Sequence, residues 1–399
     1  MVGAKTVHVM TRDMSVMLDP ENVVDSLNRA GFSHFVGVPC SLLQPLIAAV
    51  RTSARCSYIP ASSEGEAVAI AAGLRLSGTK PVVFMQNSGI GNAVNPLTSL
   101  TCPLEIPVLF VVGMRGGATD NDSLEHLTMG RISEQMLSLM GIRSTLLTDD
   151  LNALERDMRT ASRDMQELSK SHALLVTRGL LSSAAEPSTA GPRDLEALYG
   201  DGHNAAQYQR ADFIETITQF FEGEAALLAT TGGCWKELRQ HRQSAADFYQ
   251  MGSMGCVSAI GLGIALQTEK TVVVLDGDGA ALMKLGNMST IGALQPGNLV
   301  HVVFDNAQYE STGGQPTAAA TVRFASVALA CGYPSAVTVT TPPALKDALS
   351  DAIRARQTTF IHIPVLPGHK RDVGHDKVDF VSHTRAFERF IQTPSEVLS

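Results

Sequence analysis

The stretches TVVVLDGDG, residues 271–279, and VHVVFDN, residues 300–306, decide how this sequence folds. Each begins with a short apolar run, which is typical of a strand buried on both faces of a parallel sheet. Each ends in Asp, Asn or Gly, residues that favour turns. Because ligand sites of such sheets lie beyond the carboxyl ends of their strands, the polar residues after these two strands are the first candidates for a functional site.

The polar ends of the two strands suit a divalent metal ion. Asp278 offers a carboxylate oxygen and Asn306 an amide oxygen, which are the hard ligands that Mg2+ prefers. Gly277 and Gly279 would let backbone amides approach a diphosphate closely. Taken alone, an Asp between two glycines is a simple structural turn about as often as it is a functional site. The second polar strand end, 25 residues further on, favours a site that holds Mg2+ and a diphosphate.

Strand and helix alternate through the rest of the chain, once in each half. Further apolar runs predict strands at residues 34–38, 81–85, 107–112, 173–176, 226–230 and 360–364. Helices are expected between them, among others at 20–31 and 210–221. This alternation predicts an α/β protein with parallel sheets that are covered by helices on both faces.

A segment from about residue 181 to 204, rich in Ser, Ala, Gly and Pro, divides the chain almost in half. Such a composition favours an exposed connector. We therefore expect a first domain at residues 15–185, a linker at 186–203, a second domain at 204–385 and a C-terminal tail at 386–399. The length of 399 residues allows two or three domains, and the connector predicts two.

The composition narrows the possible partners and compartments. A net charge of -8 excludes a general attraction to nucleic acid or anionic membranes, and no apolar run approaches the ~18 residues of a membrane-spanning helix. The six cysteines include no C-x-x-C pair, so neither a zinc site nor a disulfide framework is indicated. The N-terminus lacks the apolar core of a secretory signal. We expect a cytoplasmic protein with no nucleic-acid or membrane partner.

The spacing of the two decisive motifs resembles that of the thiamine diphosphate enzymes, whose diphosphate-binding domain carries G-D-G and then, about 25 to 30 residues later, a pair ending in Asn. Here the pair is Asp305-Asn306, so Asp stands where the family usually has a first Asn. The resemblance implies thiamine diphosphate and Mg2+ as cofactors, a pyrimidine-binding first domain and a diphosphate-binding second domain. It assigns the metal to Asp278, Asn306 and the backbone carbonyl of Gln308.

The same resemblance supplies further contacts with the cofactor. The motif Gly252-Ser253-Met254-Gly255 matches a family element in which the carbonyl of Gly252 accepts from the amino group of the cofactor and Met254 holds the cofactor bent. The alternative for Met254 is ordinary core packing. The other residues that the resemblance places against the cofactor are Thr230, Thr231, Gly232, Gly279, Ala280, Asn306 and Tyr309.

A proton relay is implied in the first half, where SSEGE, residues 62–66, opens a helix rich in small residues. Ser63 and Glu66 fit a capping box, which already gives Glu66 a structural role. Glu64 alone would be interpreted as a first-turn acid that the helix dipole favours. In the thiamine diphosphate enzymes, however, a catalytic Glu stands nine residues before a helix Gly, as Glu64 stands before Gly73, and exchanges a proton with the aminopyrimidine of the cofactor.

Within this family the sequence is similar to the phosphonopyruvate decarboxylases and then to the sulfopyruvate decarboxylases, from about residue 20 to 385. The similar segments are GVPCSLL, MQNSGIGNAVNPLTSL, VVGMRG, DNDSLEH and YESTGGQPT, beginning at residues 37, 85, 111, 120 and 309. The resemblance implies decarboxylation of 3-phosphonopyruvate to phosphonoacetaldehyde and CO2, in the biosynthesis of phosphonate natural products such as antibiotics. Three alternatives stay open: sulfopyruvate as the substrate, a carboligase of the acetolactate synthase type, and a binding protein that keeps the fold without catalysis.

The implied substrate is a small 2-oxo acid with a second anionic group. Ser41 stands about where pyruvate-type decarboxylases carry Asp, and its hydroxyl would not repel an anionic tail. Arg115 offers a guanidinium fork that fits phosphonate oxygens. The other candidates for binding the anion are Asn87, Lys370 and Arg371.

Three histidines lie at informative positions. His126 is the candidate proton carrier, because an imidazole titrates near neutrality, and simple surface exposure is the alternative. His301 and His362 lie in apolar strands and are interpreted as hydrogen-bonded core residues.

The family resemblance also implies a homodimer or a dimer of dimers. In that arrangement Glu64 of one subunit faces Asp278 of another, so the active sites lie at the subunit interface. A monomer would then be inactive.

Overall fold

The structure, a computed structural model, describes residues 17–117, 122–183, 206–368 and 378–393. These residues form two compact units, each with its own six-stranded sheet, and the ladders described between neighbouring strands of these sheets are parallel. The α/β class with two parallel sheets is thus confirmed. The predicted linker, Lys370 and Arg371 lie outside the described residues.

The N-terminal half of the chain alternates helix and strand, and it forms the first unit except for residues 60–66, which group with the second unit. Its helices are α1 (Pro20–Arg29), α2 (Gln44–Thr52), α3 (Glu64–Leu76), α4 (Ile90–Pro96), α5 (Leu124–Leu139) and α6 (Leu151–Glu167). Its strands are β1 (His34–Gly37), β2 (Ser57–Pro60), β3 (Pro81–Gln86), β4 (Leu109–Gly113), β5 (Arg143–Leu146) and β6 (His172–Val176). The order of the strands in the sheet is β2-β1-β3-β4-β6-β5.

Local signals in the sequence set the bounds of these elements. The Asp19 carboxylate accepts a hydrogen bond from the Glu21 amide at the start of α1, and Gly31, at φ +89°, follows the end of this helix. Alternate residues of the central strands, such as Phe35 and Phe84, pack with α1, α2 and α6 into one core. Burial of these apolar side chains fixes which face of each strand meets the helices.

The second unit repeats the pattern. Its helices are α7 (Arg210–Phe221), α8 (Gly233–His241), α9 (Val257–Ala265), α10 (Asp278–Met283), α11 (Asn287–Leu294), α12 (Phe324–Ala330), α13 (Pro342–Ala355) and α14 (Phe380–Gln392). The strands of its main sheet are β7 (Ala226–Ala229), β8 (Asp247–Tyr249), β9 (Val272–Gly277), β10 (Leu299–Asp305), β13 (Ser335–Thr338) and β14 (Thr359–Pro364), in the order β13-β14-β10-β9-β7-β8. A small antiparallel hairpin is formed by β11 (Gln308–Tyr309) and β12 (Gln315–Pro316).

Helices cover both faces of the second sheet. Val273 and Val300 lie in a core with α7, α8 and α13, whereas Val274 and Val303 lie in a core with α9, α11, α12 and α14. Helix α14 runs past residue 386, where the sequence predicts the C-terminal tail to begin, and Phe387 of this helix is buried. No helix in the described part of the chain is both long and apolar enough to cross a membrane.

Candidate active site

Asp278 lies at the carboxyl edge of the second sheet, where β9 ends and α10 begins. Only 3% of this residue is exposed, and the Thr317 hydroxyl donates a hydrogen bond to its Oδ2 at 2.5 Å. Burial, and then the nearby Asp305 carboxylate, raises the pKa of Asp278 well above its usual value. A buried carboxyl group next to a second acid is a position that a divalent cation would stabilise.

The turn after β10 carries Asn306 and Gln308. The side-chain oxygen of Asn306 accepts a hydrogen bond from the Gln308 amide at 3.0 Å, and Ala307 between them has a left-handed φ of +56°. The amide of Thr317 donates to the carbonyl of Ala307 at 3.0 Å. Thr317 therefore links Asp278 to the Asn306 turn: its hydroxyl bonds to the Asp278 carboxylate, and its backbone amide bonds to the turn. Nothing in the sequence marks Thr317 for this role before the β11–β12 hairpin is known.

Asp305, which stands where the family usually has Asn, has a partner of its own. Its Oδ2 lies 3.2 Å from Nε2 of the buried His362. His301 is likewise buried, with its ring nitrogens 3.1 Å from the Tyr333 hydroxyl and 3.4 Å from the Asp276 carboxylate. The interpretation of both histidines as hydrogen-bonded core residues is confirmed, and the unusual Asp305 is accommodated by one of them.

Gly279 allows the first turn of α10 to pack against the hairpin. A Cβ placed on Gly279 would lie 2.6 Å from Cε1 of Tyr309 and 3.2 Å from Cγ2 of Thr317. Only glycine therefore fits here without displacing the buried Tyr309 ring. Gly279 and Ala280 stay the residues predicted to present amides to a diphosphate, and Tyr309 lies directly beside them.

The predicted second diphosphate contact, Thr230 to Gly232, follows the end of β7. The Thr231 hydroxyl donates to the Met251 carbonyl at 2.5 Å, and Gly232 adopts a φ of +90°, which favours glycine. The Thr230 hydroxyl donates to the side-chain oxygen of Gln250 at 3.3 Å. Residues 230–231 are thus hydrogen-bonded to residues 250–251, which directly precede the Gly252-Ser253-Met254-Gly255 motif.

Gln250 fixes the GSMG motif, residues 252–255. Its side chain is buried, and its Nε2 donates to the Ser253 carbonyl at 2.7 Å. Ser253 has a left-handed φ of +53°, and a Cβ on Gly255, at φ +87°, would lie 2.7 Å from Cγ of Lys284. Met254 is half-buried within this constrained loop. Gln250 stands two residues before the motif in the sequence, but its second partner, Thr230, lies on another segment.

The first unit brings Ser41, Asn87 and Arg115 together at the carboxyl edge of its sheet. The Arg115 guanidinium pairs with both carboxylate oxygens of Asp122, at 2.6 and 2.5 Å, and donates from Nη1 to the Ser41 hydroxyl at 3.2 Å. The Asn87 side chain donates to the Arg115 carbonyl at 2.9 Å and accepts from the Arg115 amide at 3.1 Å. Asn87 therefore positions the backbone of Arg115.

Asp122 is a further member of this cluster. It also accepts hydrogen bonds from the amides of Gly116 and Ser123, at 3.0 and 2.8 Å. Burial alone would raise its pKa, but the hydrogen bonds from Arg115 and these amides outweigh burial and hold the pKa of Asp122 well below its usual value. Arg178, beyond the end of β6, approaches the same carboxylate at 3.3 Å.

His126 lies in the first turn of α5, next to this cluster. Its side chain is largely buried, its Nδ1 has no hydrogen-bond partner among the described residues, and its Nε2 lies 3.6 Å from Glu125. Burial, and then the charge of Arg115, lowers the pKa of His126 to about 4, although Asp122 acts in the opposite direction. The expected titration near neutrality is corrected accordingly: His126 is neutral at pH 7 and would act there as a hydrogen-bonding group or a base.

Glu64 is the first residue of α3, and 6% of it is exposed. The helix is capped by its neighbours: the Ser63 hydroxyl accepts from the Glu66 amide at 3.3 Å, and the Glu66 carboxylate accepts from the Ser62 amide at 2.6 Å. The structural role predicted for Glu66 is therefore present. The cap is complete without Glu64.

The donors of the second unit fit Mg2+ in their chemistry. Asp278 supplies a carboxylate, Asn306 an amide oxygen and Gln308 a backbone carbonyl, all at or just beyond the carboxyl ends of the adjacent strands β9 and β10. In the described ranges, no group of three or more His, Cys, Asp or Glu side chains is placed to hold a metal ion. The predicted set needs only one carboxylate.

Comparison with known proteins identifies the family of this chain. The model of the thiamine pyrophosphate enzyme N-terminal TPP binding domain matches residues 20–135, and that of the C-terminal TPP binding domain matches residues 231–363. The chain belongs to the thiamine pyrophosphate enzyme family, and thiamine diphosphate is its cofactor.

Full-length relatives within this family include two phosphonopyruvate decarboxylases. That of Streptomyces viridochromogenes is 36% identical over 382 residues, which are 95% of this chain and 96% of the relative. That of Streptomyces hygroscopicus is 35% identical over 383 residues, 95% of each chain. The sulfopyruvate decarboxylase of Methanosarcina acetivorans is 30% identical over 371 residues, 89% of this chain and 93% of the relative.

Proposed function

We propose that this protein decarboxylates 3-phosphonopyruvate to phosphonoacetaldehyde and CO2, with thiamine diphosphate bound through Mg2+. The observation that carries the proposal is the 36% identity with a phosphonopyruvate decarboxylase over nearly the whole of both chains. Asp278, Asn306 and Glu64 are all present in the chain, which disfavours a binding protein without catalysis. We place the reaction in phosphonate natural-product biosynthesis, where loss of CO2 would draw an unfavourable preceding step forward.

Residues of the second unit would hold the cofactor. Thiamine diphosphate, when bound, supplies the electron sink on which a 2-oxo acid loses CO2. Asp278, Asn306 and Gln308 would bind the Mg2+, and Thr317 would keep them in register through its two hydrogen bonds. The remaining contacts would come from Thr230, Thr231, Gly232, Gly252, Met254, Gly279, Ala280 and Tyr309.

Residues of the N-terminal half of the chain would move protons and bind the substrate. Glu64 would exchange a proton with the aminopyrimidine nitrogen of the cofactor. Ser41 and Arg115 form a polar edge for an anionic substrate, and Asn87 holds that edge in place through the backbone of Arg115. His126, neutral at pH 7, presents a buried Nδ1 that could bond to a substrate oxygen.

The proposed domains follow from these separate roles of the two halves of the chain. Residues 15–185 would be the pyrimidine-binding domain and residues 204–385 the diphosphate-binding domain, with the linker at 186–203. One of the two family models falls in each. We further propose a homodimer or a dimer of dimers, in which Glu64 of one subunit serves the cofactor bound by Asp278 of another.

Mixing two inactive variants tests the shared active site. Glu64→Gln and Asp278→Asn subunits, dissociated and reassociated together, should regain about a quarter of the wild-type activity, because half of the dimers are then mixed and one of their two sites is intact. Each variant treated alone is the control. Differently tagged subunits establish that exchange has occurred. Exchange without recovery of activity would place Glu64 and Asp278 of the same chain in one site.

A side-by-side assay tests the substrate. We expect kcat/KM to be highest for phosphonopyruvate and lower by about 100-fold or more for pyruvate, because a site built for a polar group rejects an analogue that lacks it. Aldehyde and CO2 are measured together. A higher kcat/KM for sulfopyruvate would transfer the proposal to that substrate, and a hydroxyketone product would indicate a carboligase.

A further inference from the structure

The strands β1, β3, β4 and β6 are consecutive in the first sheet, and a polar residue follows each of them. Ser41, Asn87 and Arg115 follow the first three, and Arg178 lies two residues beyond the end of β6. Both arginines face the carboxylate of Asp122. We propose that Arg178 binds the distal anionic group of the substrate, an inference that rests on the proposed function.

Arg115 is largely committed to other partners. Three of its five N–H groups already donate, two of them to Asp122 and one to Ser41. Its side chain is only 17% exposed, and the paired carboxylate balances its charge. Arg115 therefore forms the edge of the site and has few N–H donors left for the dianionic group of the substrate.

Arg178 differs from Arg115 in each of these respects. Its side chain is 50% exposed, and it makes no further ion pair or hydrogen bond with the described residues. Asp122 does not need it, because Arg115 and two backbone amides already supply four hydrogen bonds, about the number that a carboxylate accepts. Arg178 thus adds positive charge and unused donors at the edge of the site.

The chemistry of a phosphonate matches these unused donors. Its oxygens accept a pair of parallel N–H bonds from a guanidinium fork, and such charge-assisted bonds are stronger than neutral ones. Pyruvate lacks this group. Arg178 is therefore a specificity residue, which should affect binding of phosphonopyruvate and leave pyruvate unaffected.

Three substitutions of Arg178 test this role. Arg178→Ala and Arg178→Gln should raise the KM of phosphonopyruvate by about 10- to 100-fold, with kcat and the inhibition constant of pyruvate unchanged. Arg178→Lys should restore most of the affinity, because it keeps the charge. The matched control is Arg143→Ala, since Arg143 is also exposed, at 59%, and also pairs with a buried carboxylate, Asp164, at 2.7 Å.

The outcomes separate the inference from the proposed function. An unchanged KM in Arg178→Ala would overturn the inference. So would rescue by Gln, or an equal loss for pyruvate, because either result would mean that Arg178 only supports Asp122. A wild-type enzyme that binds thiamine diphosphate but turns over phosphonopyruvate no better than pyruvate would overturn the proposed function, and the inference with it.

Discussion

Replacement of Glu64 by Gln should reduce turnover by orders of magnitude and leave thiamine diphosphate bound. The amide has almost the same shape as the carboxylic acid and keeps its hydrogen-bonding oxygen. It cannot, however, give up or take a proton near neutral pH. Loss of a positioned general acid–base costs about 10²- to 10⁴-fold in rate. We therefore expect kcat to fall by this factor, measured as CO2 release from phosphonopyruvate, with cofactor affinity measured separately by equilibrium dialysis.

Glu66→Gln is the matched control for this experiment. Glu66 lies two residues further along the same helix and accepts a hydrogen bond from the Ser62 amide. A glutamine oxygen can accept the same bond, so the cap should survive and kcat should stay close to that of the wild type. Full activity in Glu64→Gln would remove Glu64 from the mechanism. Loss of cofactor binding in that variant would instead indicate a role in holding the cofactor.

The strands of the two sheets show how much of the fold the sequence could predict. All eight strands predicted from apolar runs are present, within two residues of their expected bounds. The four strands of these sheets that were not predicted, β2, β5, β8 and β13, are the edge strands. Three of them are half exposed, with the sequences SYIP, RSTL and SAVT, and β8 is only three residues long. An edge strand is less enclosed by neighbours and so carries no continuous apolar run to reveal it.

The residues of the candidate site also differ in how far the sequence could predict them. Residues that lie within two positions of the end of a buried strand, such as Asp278 and Arg115, could be selected because strand ends form the site edge of a parallel sheet. Residues that hold them in place could not. Thr317 and Gln250 act through partners 39 and 20 residues away, and hydrogen bonds of this kind exist only once the chain has folded. Arg178 could have been selected by the same rule, because it follows a predicted strand by two residues.

The pKa of His126 shows a further limit of sequence reasoning. The sequence gives the residue type and therefore a titration near neutrality. The folded chain adds burial and the neighbouring guanidinium groups of Arg115 and Arg178, which all disfavour the charged imidazole. None of these environments can be inferred from the segment around His126 alone, because Arg178 lies some 50 residues further along the chain.

Asp278→Asn should separate stability from cofactor binding. The Asp278 carboxyl group is buried beside Asp305, so its charge is costly until a cation balances it. Asparagine removes this charge and keeps an oxygen for the Thr317 hydroxyl. We therefore expect the variant without cofactor to melt at the same temperature as the wild type or higher, in contrast to most substitutions of buried polar residues.

The same variant should lose its response to the cofactor. Ligand at about 100 times its Kd stabilises a protein by about 2.7 kcal/mol, so thiamine diphosphate with Mg2+ should raise the melting temperature of the wild type by several degrees. Asp278→Asn should show no such shift and no decarboxylation. Asp351→Asn, at an exposed position of α13 in the same unit, is the matched control and should keep both. A full Mg2+-dependent shift in Asp278→Asn would remove Asp278 from the metal site, and a variant unfolded at 25 °C would show that the carboxylate stabilises the fold itself.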